Sequence, residues 1–265
     1  MKLVTPISNL FQSEADGDAL AELSDSLELR PDLGLNVKRW GPITHCHISN
    51  PSLDINFQWA PEAKGVLQRY FADGQLPSMA LTFHLARDFS IASKDSLGRY
   101  VPSGKRVSEE EMLNNAVTNC EWVRAEFGLD VYLENNNFYP TGAYDIACRP
   151  DFISEVVSET GSGFLFDYAH AQVSAINMGL GLADYIGALP LSKIAQMHIS
   201  QPILGPKLAT DAHGLPTVRE IQIASKVLES SEFSDIPITI EFYGSAPELR
   251  QLLASLRSAS PRDSD

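Results

Sequence analysis

Eight short apolar runs, separated by longer stretches of helical pattern, constrain this chain more than any other feature. They are Leu3–Ile7, Ser26–Arg30, Pro42–Ile48, Met79–Leu85, Asp130–Glu134, Gly163–Asp167, Ile194–Ile199 and Ile238–Phe242. Most are apolar at both parities, as Phe164-Leu165-Phe166 shows, which is the pattern of strands covered on both faces. Between them, Ser108 followed by Glu109-Glu110-Glu111 reads as an N-cap with acids in the first turn. Met112, Ala116, Cys120 and Val123 then recur at near-helical spacing. Further helices start on Pro150, with Gly161 as the stop, and on Pro247. Asn135–Arg149 and Gln201–Thr217 are rich in Pro, Gly and Asn and read as loops after strands. Eight strands with intervening helices in about 250 residues meet the requirement of a (β/α)8 TIM barrel, with an open doubly wound sheet as the alternative. Residues 1–257 are expected to form a single catalytic domain, and 258–265 a frayed polar tail.

Composition narrows the function. At 265 residues and 44% hydrophobic, the chain can bury a sizeable core. Its 34 acidic and 20 basic residues leave a net charge of −14, which argues against a nucleic-acid partner. No apolar run approaches the roughly 20 residues needed to span a bilayer, so no membrane partner is expected. The start, Met1-Lys2-Leu3-Val4-Thr5-Pro6, lacks the apolar stretch of a signal peptide. Cys46, Cys120 and Cys148 are odd in number and without CxxC spacing. Together these suit a cytoplasmic protein with free thiols.

In a barrel of this kind chemistry sits at the C-terminal ends of the strands. His45 and His47 end the third run, His84 the fourth, Glu134 the fifth and Asp167 the sixth, with His170 three residues on. His198 ends the seventh, Asp211 and His213 lie in the loop beyond it, and Glu241 ends the eighth. Random placement of the histidines would put roughly 0.4 of them at strand ends, and four are there. Imidazoles and carboxylates without thiolate pairs are a ligand set for Fe, Zn or Mn. Nine of them, His47, His84, Glu134, Asp167, His170, His198, Asp211, His213 and Glu241, suit two or three ions. Each residue alone also has an ordinary reading as a core histidine or an ion-pair partner. His45 is assigned to the face opposite His47 and read as a core residue, and Cys46 as packing. No lysine ends a strand, so a Schiff-base mechanism lacks a nucleophile. Gly179-Leu180-Gly181 and Gly161-Ser162-Gly163 read as turns rather than as a dinucleotide fingerprint or a nucleophile elbow.

Several motifs occur together: Phe83-His84-Leu85, Leu133-Glu134-Asn135, Phe166-Asp167-Tyr168-Ala169-His170, Leu189-Pro190-Leu191 with Gln196-Met197-His198-Ile199, and Asp211-Ala212-His213-Gly214. In combination they resemble the multinuclear non-heme iron-dependent oxidative enzymes, over about Leu27 to Phe242. That resemblance implies a xylose-isomerase-like barrel in which His47, His84, Glu134, Asp167, His198, Asp211, His213 and Glu241 are metal ligands. Family members commonly have Asn-Asn where Ala169-His170 stands here. His170 completes the nine-ligand set of the related trinuclear barrels of endonuclease-IV type, so room for three metals is expected. Pro202 stands where the family often has a second histidine after strand seven, and Phe242-Tyr243 replaces its Trp-Asp.

The resemblance further implies two or three Fe ions in a mixed-valence Fe(II)/Fe(III) state, with O2 as co-substrate. The substrate would be a thiol-bearing, cysteine-containing peptide or a small molecule, modified in natural-product biosynthesis. A partner protein would present the precursor peptide. His84, Glu134 and Glu241 are the expected catalytic residues, and Asn135, Asn136 and Tyr168 the substrate-lining ones. Loops 86–106, 135–149 and 201–217 would shape access. The alternatives on the same barrel are a metal-dependent sugar isomerase or epimerase, with carboxylates as acid and base, and a trinuclear zinc phosphodiesterase. The acidic surface disfavours a DNA-repair version of the latter.

Overall fold

A computed structural model describes residues 1–31, 40–72, 77–205 and 208–259. Eight parallel strands close a barrel: β1 (Lys2–Pro6), β2 (Ser26–Leu29), β3 (Ile43–Ile48), β4 (Ala80–His84), β5 (Asp130–Glu134), β6 (Gly163–Asp167), β7 (Ile194–Ile199) and β10 (Pro237–Ile240). Each expected run is a strand, and β5, β6 and β7 match their expected bounds. Pairing of β1 with β10 through Leu3 and Ile238 closes the circle and excludes the open sheet.

The helices are α1 (Glu14–Glu22), α2 (Pro61–Tyr70), α3 (Glu109–Phe127), α4 (Pro150–Thr160), α5 (Tyr168–Met178), α6 (Leu182–Gly187), α7 (Val218–Ser225) and α8 (Ala246–Ala259). Ser108 Oγ accepts the Glu111 amide at 3.2 Å, satisfying one open donor of the first turn of α3. Residues 260–265 of the expected tail lie outside the described residues.

Side chains alternate across each strand, and the two faces carry different chemistry. Leu81 and Phe83 of β4, Val131 and Leu133 of β5, Phe164 and Phe166 of β6, and Met197 and Ile199 of β7 pack outward. They share one cluster with Met112, Ala116 and Val123 of α3 and Phe152 and Val156 of α4. Each large side chain buried there contributes about 1.5–3 kcal/mol relative to exposure. The other parity faces the barrel axis and is mostly polar: Ser26, Glu28, His45, His47, Thr82, Glu134, Asp167, Gln196, His198, Thr239 and Glu241 are all buried. Near the floor Ala80, Tyr132, Leu165 and Ala195 form a separate apolar cluster. Glycine at position 163 admits the Tyr132 ring, since a Cβ there would come within 2.5 Å of it.

Two expectations need correction. Gln201–Thr217 is not a plain loop, because β8 (Gln201–Leu204) and β9 (Ala209–Gly214) pair as an antiparallel hairpin. The Asn177 side chain on α5 bonds both the N–H and the carbonyl of Ala209, so a distant helix fixes the hairpin. His45 is not on the face opposite His47. Residues two apart share a face, and the His45 ring lies 5.7 Å from that of Tyr132 near the floor. The two histidines differ in depth, not in direction.

Candidate metal centre

Because the strands end together at one rim, the last inward residue of each is carried to a common point. Glu134, at the tip of β5, is the hub. Its Oε2 lies 2.7 Å from His47 Nε2 on β3 and 2.7 Å from His84 Nε2 on β4. Its Oε1 lies 3.5 Å from His198 Nδ1 on β7, which is also 3.3 Å from Glu241 Oε2.

A second group adjoins the first. Asp167 caps α5 by accepting the His170 amide at 2.7 Å, which brings the His170 ring, one turn on, back over the strand ends. His170 Nε2 is 3.7 Å from Asp167 Oδ2 and 3.4 Å from Asp211 Oδ2. His213 Nε2 is 3.3 Å from Asp211 Oδ2 and 3.6 Å from Glu241 Oε1. His213 holds φ at 45°, a left-handed conformation costly for a non-glycine residue, and its amide bonds Asp211 Oδ1 at 3.3 Å. The hairpin therefore delivers both side chains of the Asp-x-His motif to the rim.

Residues of β2 and its end, not singled out in the sequence, complete the arrangement. Glu28 Oε2 accepts from His198 Nε2 at 2.8 Å and from Gln196 Nε2 at 2.6 Å. Arg30 Nη2 forms an ion pair with Glu28 Oε1 at 2.7 Å and donates to Glu241 Oε1 at 2.8 Å, while Arg30 Nη1 meets His47 Nδ1. Tyr243 donates its hydroxyl to Glu241 Oε1 at 2.6 Å. The signal for Glu28 was present: a carboxylate inside the apolar run Ser26-Leu27-Glu28-Leu29, in the same setting that made Glu134 conspicuous.

The electrostatics are those of crowded, buried acids. Burial opposes the charge on Glu134, but His47 and His84 outweigh it and hold the carboxyl well below the ordinary range. Burial likewise opposes Glu241, and Arg30 and His198 hold it low. Asp167 lacks such a balance: burial, with Glu134, Glu241 and Asp211 adding to it against the pull of His170, pushes it up to about 7. Burial, with Arg30 adding, drives His47 down to about 4, so its ring is neutral near pH 7.

All nine residues expected as ligands are thus brought together, each within 3.7 Å of another member. All but Asp167 and His198 line a cavity of about 300 Å³, together with Arg30, Ser49, Asn136, Asn137 and Tyr243. The three residues expected to line the substrate pocket separate. Asn136 lines this cavity. Asn135 is fully buried and spends its amide on the Asp167 backbone, donating to the carbonyl and accepting from the N–H at 2.9 Å each. Tyr168 lines a neighbouring pocket with Gln172, Pro202 and Leu204.

The residues fit a metal group. Glu134 Oε1, Asp167 Oδ2 and His198 Nδ1 are buried and make no hydrogen bond among the described residues. Unpaired buried polar atoms are costly and rare. Glu134, Asp167, His198 and Glu241 offer one ligand atom each within a mutual 4.8 Å, the arrangement one ion would close.

Comparison with known proteins places this geometry. The family of RiPP precursor modification enzymes MbnB/TglH/ChrH matches residues 94–262, a stretch holding seven of the nine clustered residues. The chain belongs to that family. It is the family that the motifs resemble. A UPF0276 protein of Caulobacter vibrioides (strain NA1000 / CB15N) is 30% identical over 130 residues, 49% of this chain and 46% of that protein. Another, from Anaeromyxobacter sp. (strain Fw109-5), is 29% identical over 154 residues, 57% and 53% respectively. The chain spans about half the length of the curated relatives it matches. Among solved structures, a putative xylose isomerase from Rhodospirillum rubrum superposes with a TM-score of 0.63 at 15% identity, over 98% of this chain and 100% of that one. The E. coli 3-keto-D-glucoside 4-epimerase YcjR gives 0.59 at 16%, over the same shares. Both likenesses concern the fold, and they make it a xylose-isomerase-like TIM barrel.

Proposed function

We propose that this MbnB/TglH/ChrH family member is an oxidoreductase that binds two or three iron ions at the barrel mouth and uses O2 to modify a thiol-bearing substrate. The substrate is a cysteine-containing peptide or a small molecule, within natural-product biosynthesis, and a partner protein presents it where it is a peptide. Zn or Mn are the competing metals. The observation that carries the reading is that Glu134 Oε1, Asp167 Oδ2 and His198 Nδ1 are buried without a hydrogen bond among the described residues, in a group that offers one ligand atom each within a mutual 4.8 Å. His170, Asp211 and His213 are surplus to a single-ion isomerase site, which favours a multinuclear centre.

Iron held there would supply a one-electron couple and open positions for a thiolate and for O2. The chain's own residues do the rest. Glu134 contacts His84 and His198, and Glu241 contacts His198 and His213, so these two carboxylates would help hold the group. His84 is the more open of the two imidazoles on Glu134 Oε2, 19% exposed against 4% for His47, and so meets an incoming substrate. The cavity of about 300 Å³ has room for one extended side chain rather than a folded segment. Its Asn136 and Asn137 amides offer hydrogen bonds to a peptide backbone.

The test is O2 uptake by anaerobically prepared, iron-loaded protein mixed with cysteine-containing peptides and small thiols, with product masses recorded. Thiol-dependent uptake and a mass change at cysteine support the proposal. Iron-loaded protein that consumes no O2 above its Glu134→Ala variant with any thiol sinks it.

A further inference from the structure

We propose that the hollow lined by β8, α5 and α7 docks an extended segment of the peptide substrate that carries a lysine or arginine. This rests on the reading that the substrate is a peptide, and names where the chain beside the reacting cysteine is held.

The cavity at the barrel mouth leaves that chain without a place. At about 300 Å³ it takes one side chain, so the residues flanking the cysteine must lie on the surface around the rim. A second hollow, of about 280 Å³, opens beside the same strand ends. Tyr168, which follows Asp167, and Ser200, two residues past His198, both line it. Its walls are apolar and open to solvent. Pro202 and Leu204, two apart on β8, present one strand face to it, and Ile223 of α7 lies across from them. Leu204 is 52% exposed and Ile223 48%, which marks a surface made for contact.

Charge selects the occupant. Glu220 lines the hollow and is held in place: its Oε2 accepts from Thr217 at 2.7 and 2.8 Å, and its Oε1 from Gln201 Nε2 at 3.2 Å. All three donors are neutral, and no Lys or Arg lines the hollow among the described residues. Ser200, only 3% exposed, adds a hydroxyl with no hydrogen-bond partner among the described residues. An apolar wall ending at a fixed carboxylate matches a side chain with an aliphatic stem and a cationic head, which is lysine or arginine. A second copy of the chain fits poorly. It would bring the same acid and a net charge of −14, and Pro202 blunts β8 against pairing with its own kind.

The experiment titrates the metal-loaded chain into fluorescein-labelled heptapeptides and follows their anisotropy. The peptides contain no cysteine and differ only in a central lysine, norleucine or glutamate, set among threonines and valines. The lysine peptide is expected to bind about fivefold tighter than the norleucine one, the scale of a partly exposed ion pair, with the glutamate peptide weakest. Glu220→Gln is expected to erase that preference, while its amide keeps the capping box and so the helix. Equal binding of the three peptides, no binding of any, or a lysine preference that survives in Glu220→Gln overturns the inference. So does a wild type that sediments as a dimer beside a monomeric Leu204→Lys, which would assign the face to a second copy. Because these peptides carry no thiol, their failure to bind is distinct from a failure of thiol-dependent O2 uptake, which is read separately.

Discussion

Glu28 Oε2 and His198 Nε2 lie 2.8 Å apart across the barrel axis, on strands β2 and β7 that are not neighbours in the sheet. The carboxylate accepts the ring proton and so turns the other nitrogen of His198 to Glu134 and Glu241. Arg30 in turn ties Glu28 to Glu241. Two of the proposed ligands are therefore oriented by one residue that need not touch the ion.

Glu28→Gln is expected to weaken cation binding about 10- to 100-fold, the usual cost of removing an outer partner of a histidine ligand. An amide still accepts one hydrogen bond, so the ring keeps its place but loses the charge that strengthens it. Co(II) titration followed by visible absorption measures this, with thermal unfolding of the metal-free variant as a check on folding. An unchanged affinity would show that Glu28 only fills space.

Asp167 sets a pH dependence. Its carboxyl is raised to about 7, above the ordinary 3.8 of an unfolded chain. The stability it lends the metal-free fold is therefore fully present below about pH 4 and lost as the pH rises through about 7. A cation must displace that proton, and protons on His198 and His170, which the neighbouring acids favour against burial. The rise in melting temperature given by saturating Co(II) should accordingly grow between about pH 5.5 and 7.5. A rise that is flat or shrinks over that range contradicts the assignment.

Away from the site, Asp54 and Arg87 form a buried ion pair beneath the barrel loops, with the guanidinium 4.2 Å over the Phe57 ring. Burial lowers the Arg87 pKa from its usual value, with Tyr100 opposing. Asp54→Ala should cost about 3–5 kcal/mol in urea unfolding, because it strands a charge away from water. A loss under about 1 kcal/mol would mean that water or another acid replaces Asp54.

The barrel was legible where structure is local. Phe164-Leu165-Phe166 and Leu133-Glu134 announce strands by their own composition, and Ser108 with three glutamates announces α3. Glu134, Asp167 and His198 stood out because a charge or imidazole ends an apolar run. Glu28 carried the same signal as Glu134, a carboxylate in an apolar run, but it sits inside β2 rather than at its last residue, and the partner that gives it a role is 170 residues away. Arg30 lies one step beyond the strand, and only closure of the barrel brings it to Glu241. The β8–β9 hairpin hid for a similar reason, its Pro- and Gly-containing segment being held by Asn177 rather than by its own propensity. What the sequence obscures here is contact made by topology.

The central claim is that the buried carboxylates and imidazoles at the barrel mouth hold redox-active iron. Elemental analysis of the chain purified anaerobically, with Mössbauer spectra of the same sample, tests it most directly. The account predicts bound iron in a coupled, mixed-valence state that is lost in Glu134→Ala. Zinc alone, or iron retained in full by Glu134→Ala, would contradict it.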